Sequence, residues 1–186
     1  MNKERFEKIL PHKNFDDFTP HPNGGGLVEK TANVAGTAYI GPDALVYDNA
    51  LVYEFARIYD NAQVYEFAGI CGYVRVFGDA RVYGDAEVYE YAQIGGNAQV
   101  CGDSTVYGYA CLITGKITSN CIWFYLGRHA LTLQGDGSVK IGCKCMSIDE
   151  WIERYKEIGK SEGYSKEEIK IYGYILKKIK AGKIKY

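Results

Sequence analysis

The chain has 186 residues, with 22 Lys and Arg against 23 Asp and Glu, a net charge of −1 and 47% apolar residues. That suffices to bury a core, while no apolar run is long enough for an export signal or a bilayer span, so a cytoplasmic protein without a membrane partner is expected. Charge is unevenly spread: residues 27–112 hold eleven Asp and Glu against four Lys and Arg, and residues 113–186 hold eight against fourteen. An acidic body with a basic tail disfavours nucleic acid as a partner, because a phosphate backbone calls for a continuous basic surface.

In chain order, residues 2–10 read as a short helix with Phe6, Ile9 and Leu10 on one side and Pro11 closing it. Phe15 to Phe18 and His21 to Gly26 read as an irregular lead-in. Residues 1–26 would thus cap an open strand edge at the start of the main body, since uncovered edges invite mispairing.

From Leu27 the chain repeats every six residues without insertion. Val28, Val34, Ile40, Val46, Val52 and Ile58 begin a series that continues at each sixth residue to Leu112. Four places after each comes a small residue, Ala32, Ala38, Ala44 and onward, with Val74 and Ser104 as departures. An amphipathic helix needs a 3.6 period and a flat strand needs alternation, so neither fits. Short Val- and Ile-rich strands broken by turn pairs such as Gly78-Asp79 and Gly96-Asn97 do fit.

This pattern resembles the hexapeptide-repeat, left-handed parallel β-helix family. The resemblance implies three hexapeptides per triangular coil, so that residues eighteen apart stack, and it alone supplies the handedness. Repeats from Val28 to Leu112 then make about five coils, roughly 24 Å long at a strand spacing of ~4.8 Å. The expected chain is mainly β: a cap over 1–26, a left-handed parallel β-helix over 27–116, and a C-terminal β-hairpin with two helices over 117–186. The resemblance also favours a trimer.

Stacking at eighteen arranges the outward residues in columns. One reads Tyr47, Tyr65, Tyr83 and Cys101 beside Leu45, Gln63, Arg81 and Gln99; another reads Tyr53, Cys71, Tyr89 and Tyr107. One corner carries Phe55, Tyr73, Tyr91 and Tyr109, and the face beyond it carries Arg57 and Arg75, then Tyr59 and Phe77. The next corner, Asp43, Asn61, Asp79 and Asn97, holds residues expected where a positive φ is needed. Three uses fit the rings: a ladder that stabilises by stacking, a subunit interface, or a ligand site. The interface set is Leu45, Tyr47, Tyr65, Tyr83, Trp123 and Tyr125. The ligand set is Arg57 and Arg75 for an anion, with Tyr59, Phe77, Tyr73 and Tyr91 as stacking rings and Arg128 and His129 nearby.

After Leu112 the repeat fails, with Lys116 at the place of a small residue. Residues 121–126 read as an apolar strand, and 128–133 with 138–143 as a hairpin turned by Gln134 to Gly137. Ser147 to Glu150 and Ser165 to Glu168 are capping boxes opening helices to about residues 160 and 180. The six cysteines follow no disulfide or zinc spacing. Cys143 and Cys145 form a CxC whose side chains, on a strand, would point the same way, and reduced thiols without metal are expected.

The family's acyltransferases use a histidine base between subunits, and this chain has only His12, His21 and His129, none within the repeats. Zinc held by three histidines is likewise unavailable, so neither cofactor nor metal is expected. The layout also resembles small phage or prophage proteins of unassigned role, in Phe6, Asn23 to Gly26, Tyr83 to Ala86, Ile141 to Lys144 and Ser147 to Glu150. That resemblance implies a non-catalytic, homo-oligomeric anti-defence factor that sequesters a small nucleotide-like anion or a host protein. The alternatives are a divergent acyltransferase with His129 as its base and a purely structural module.

Overall fold

The six-residue period folds as three parallel sheets that the chain visits in turn. A computed structural model describes residues 1–126 and 128–184. The first face stacks strands Leu27–Glu29, Leu45–Val46, Gln63–Val64, Arg81–Val82, Gln99–Val100 and Lys116–Ile117. The second stacks Asn33–Val34, Leu51–Val52, Gly69–Ile70, Glu87–Val88 and Thr105–Val106. The third stacks Tyr39–Ile40, Arg57–Ile58, Arg75–Val76, Gln93–Ile94 and Cys111–Leu112. Pairing joins each residue to the one eighteen later, as Arg57 to Arg75 and Val46 to Val64. The result is a parallel β-solenoid of about five coils.

The second residue of each two-residue strand points inward, so the β-branched column fills the prism; Ile40, Val52, Ile58, Val64 and Val76 are fully buried. At the corners the interior narrows and favours a small side chain, so Ala44, Ala50, Ala56 and Ala62 are buried there, with Val74 the larger residue that one corner accommodates. Ser104 occupies one such place, and its hydroxyl finds no hydrogen-bond partner among the described residues.

The turn chemistry differs from the expectation. Positive φ belongs to the residue before Asn61, Asp79 and Asn97, namely Asp60, Gly78 and Gly96, and to Asp48, Glu54, Glu66, Gly72, Gly84 and Glu90 at the other corners. The chain reverses immediately after the outward residue, so the left-handed position falls one place earlier. The carboxylates of Asp48, Asp60 and Glu66 accept hydrogen bonds from the N–H of Glu66, Gly78 and Gly84 one coil on, at 3.3, 3.1 and 2.8 Å. Those donors would otherwise lack a partner, and each bond offsets part of the strain of a non-glycine residue there.

At the start, helix α1 (Lys3–Ile9) and the strand Phe18–Pro20, antiparallel to Leu27–Glu29, close the edge of the first face. Phe6, Leu10, Phe18, Leu27, Leu45 and Tyr47 form the cluster beneath.

At the far end the coil persists beyond Leu112, contrary to the expected break. Lys116–Ile117 pairs with Gln99–Val100 at an offset of seventeen, and Ile117 is buried. One residue is missing from that repeat, so Gly115, whose carbonyl accepts from Gln99, takes the small-residue place and Lys116 turns outward. The third face is capped by side chains. Thr132 Oγ accepts from Cys111 N–H at 3.1 Å, and the buried Gln134 amide accepts from Ile113 N–H at 2.7 Å and donates to Cys111 O at 2.8 Å.

Beyond it, Trp123–Tyr125, Ala130–Leu133, Val139–Ile141 and Lys144–Met146 form a four-stranded antiparallel sheet, larger than the expected hairpin. Cys143 sits in the turn before the last strand and Cys145 on it, so the two thiols do not share one strand face. Helices α2 (Ile148–Ser161) and α3 (Lys166–Lys180) open with complete capping boxes and bury Trp151, Tyr172 and Leu176 against Leu131, Leu133, Val139 and Ile141. Among the described residues no helix is long and apolar enough to cross a membrane.

Two core substitutions have opposite expected signs. Ile58→Ala should cost about 2–5 kcal/mol, because it empties a fully enclosed place. Ser104→Ala should stabilise, by up to about 1–3 kcal/mol, because it removes a desolvated hydroxyl without a partner. Denaturant unfolding of both variants checks these signs.

Candidate functional site

Because like stacks on like, outward rings form four ladders. The corner between the second and third faces carries Phe55, Tyr73, Tyr91 and Tyr109 with centroids 5.4, 5.5 and 5.2 Å apart, and Tyr125 of the C-terminal sheet extends it at 5.4 Å. These five rings are about half exposed, from 48% at Tyr91 to 55% at Tyr73 and Tyr125. On the first face Tyr47, Tyr65 and Tyr83 stack at 4.8 and 4.9 Å. On the third face Tyr59 and Phe77 stack at 5.4 Å, with the Phe77 ring lying where a Cβ on Gly95 would stand. On the second, Tyr89 and Tyr107 stack at 5.5 Å and Trp123 meets Tyr107 edge-on.

The expected interface residues divide. Leu45 and Tyr47 are buried beneath α1 and the lead-in, so the chain's own cap covers them and they offer nothing to a second subunit. Tyr65 and Tyr83 are half-buried, and Tyr83 lies under the Lys116 ammonium at 5.8 Å. Trp123 lies over Gly108 and against the prism core, an internal contact. Tyr125 alone of that set is well exposed.

The expected ligand residues also divide. Arg57 and Arg75 are adjacent rungs of the third face, and with Phe55 and Tyr73 they line one groove that Asn23, Thr37 and Tyr39 complete. Arg57 lies 5.2 Å from the Tyr39 ring. Both arginines are exposed, and neither has a carboxylate partner among the described residues. Tyr59 and Phe77 lie beyond them on the same face, and Tyr91 one rung above Tyr73, outside the groove.

Arg128 and His129 stand apart in the C-terminal unit. Arg128 donates to Glu162 O at 3.0 Å, faces Glu168 at 3.8 Å and covers the Tyr164 ring at 4.8 Å, so its charge is already engaged. His129 borders a small pocket with Cys143, Lys144, Trp151, Tyr155 and Tyr172. Its backbone carbonyl accepts from Tyr172 Oη at 2.7 Å. Among the described residues no group of three or more His, Cys, Asp or Glu is placed to hold a metal ion.

The flat of the second face and the corner before it were assigned no role from the sequence, unlike Tyr73 and Tyr91 at the corner after it. Leu51, Tyr53, Phe67 and Tyr107 are exposed there, and Glu54, Glu87 and Glu90 stand among them. Tyr53 and Tyr107 belong to a column that the period itself gives, and none of these columns holds Lys or Arg. Burial raises the Cys71 thiol pKa, and Glu54 and Glu87 raise it further. The chain matches no known family model, no curated protein and no solved structure at a significant level.

Burial and neighbouring groups push the phenols of Tyr65 and Tyr172 up to about 12. An unfolded tyrosine ionises near ~10, so the folded chain holds these protons longer. The stability they contribute is intact below pH ~10 and is lost as pH rises toward ~12. Thermal unfolding across that window should show the fall, with a shallower slope for Tyr65→Phe; an unchanged slope in that variant contradicts the assignment.

Proposed function

We propose that the chain is a non-catalytic binding protein that takes a small planar anion, nucleotide-like in chemistry, in the third-face groove. The observation that carries this is the stacking of Arg57 directly on Arg75. Like charges opposite one another on neighbouring strands repel, and neither guanidinium is neutralised among the described residues. An anion between them relieves that repulsion through charge-assisted, bidentate hydrogen bonds. Phe55 and Tyr73 border the same groove and supply π surface beside the charge. The resemblance to hexapeptide-repeat and phage-encoded chains supports reading the capture as sequestration of a host defence signal inside a bacterial cell.

Native mass spectrometry of the purified chain, with calorimetric titration of adenosine monophosphate and a cyclic dinucleotide, tests the reading. Arg57→Ala and Arg75→Ala should each weaken binding at least ~10-fold, the loss of one charge-assisted hydrogen bond of about 1.5–3 kcal/mol. Melting temperature should hold or rise, because the repulsion goes with the charge. Unchanged affinity in the double variant sinks the proposal.

A further inference from the structure

Two surfaces of this chain complement one another and are not joined within it. The first is the corner between the second and third faces. Glu54 and Glu90 sit there at φ 58° and 63°, where Gly72 and Gly108 occupy the intervening and following coils. A side chain is disfavoured in that conformation. The acidic residues Asp48, Asp60 and Glu66 in the same conformation each accept a backbone hydrogen bond from the next coil. Glu54 and Glu90 do not: both are exposed, and among the described residues neither carboxylate has a hydrogen bond or an ion pair. They immediately precede Phe55 and Tyr91 of the half-exposed ladder, so rings and free carboxylates alternate along one edge. Such an edge attracts cations through its carboxylates, while the outward ring edges and phenol oxygens add apolar area and hydrogen-bond acceptors beside them.

The second surface is the groove between α2 and α3. Lys156, Lys160, Lys166, Lys170 and Lys177 line it with no acidic residue among them, and none makes an ion pair among the described residues. Tyr174, 59% exposed, lies there too.

The spacings match. Lys170 and Lys177 are seven residues apart on the outer strip of α3, ~10.5 Å along the axis, with Tyr174 between them. Glu54 and Glu90 are two rungs apart, ~9.6 Å, with Tyr73 between them. α3, at 15 residues, is ~22 Å long, and the ladder spans four rungs, ~19 Å.

We propose that the Lys170–Tyr174–Lys177 strip of one copy docks on the Glu54–Tyr73–Glu90 edge of a second copy. The contact is head-to-tail: each copy offers one donor and one acceptor surface, so the assembly either closes into a ring or extends. It shares Tyr73 with the anion groove but neither arginine.

Sedimentation velocity of the full chain at low and high salt tests this. The wild type should associate at low salt and come apart as salt screens the charges. Lys170→Glu with Lys177→Glu, and Glu54→Lys with Glu90→Lys, should each sediment as monomers. Mixed together, the two variants should form a complex, because each keeps one intact surface. Glu54→Gly with Glu90→Gly should be monomeric yet at least as heat-stable as the wild type. Arg57→Ala with Arg75→Ala should associate like the wild type, which separates this contact from anion binding. A monomeric wild type at low salt, a charge-reversed variant that stays associated, a mixture that does not combine, or a glycine variant that loses stability overturns the proposal.

Discussion

The backbone hydrogen bonds between successive coils hold the prism in one register. An outward residue donates to the coil above, as Tyr47 N–H does to Val64 O at 3.0 Å and Arg57 N–H to Val74 O at 2.9 Å. A parallel pair with such bonds cannot slip without moving its inward residue outward, so the buried column and the hydrogen bonds enforce each other. Through Leu112 each residue of the prism therefore stands on its counterpart eighteen positions earlier.

Stacking like on like helps some side chains and penalises others. Rings gain: Tyr47, Tyr65 and Tyr83 lie within 3° of parallel at 4.8–4.9 Å, at or near the rung spacing. Carboxylates are tolerated where they reach a backbone N–H, as at Asp60 and Glu66. Stacked arginines gain nothing from each other, and Arg57 and Arg75 remain exposed. A solenoid thus separates residues that serve its own stability from residues whose energetics are incomplete within one chain. Arg57, Arg75, Glu54 and Glu90 belong to the second class.

The ends of the prism use different solutions to one problem, the unpaired strand edge. At the start, α1 and an antiparallel strand cover the first face with Phe6, Leu10 and Phe18. At the far end a one-residue deletion turns the chain out of the repeat, and Thr132 and Gln134 satisfy the exposed edge of the third face. The same caps decide which ladders stay open to solvent. Of the first-face ladder Tyr47 is buried and Tyr65 and Tyr83 are half-buried, and the corner ladder from Phe55 to Tyr125 is left half bare.

The coil itself was legible from the sequence because its signal is local and redundant: a β-branched residue every six places, a small one four later, and two capping boxes before the helices. The ring and arginine columns came from arithmetic on that period, which is why Arg57, Arg75 and Tyr73 were found together. What the sequence lacked were terms that depend on distant segments. Leu45 and Tyr47 look outward in the repeat, yet α1, some forty residues earlier, covers them. Arg128 looks free until α2 and α3 return to engage it. Lys116 looks like a break until the coil above shows that one residue has been skipped. Periodicity determined which residues share a column, since that is a property of the backbone repeat. Only tertiary packing decided which columns are capped, neutralised or left open, because those outcomes depend on chain segments the repeat does not contain.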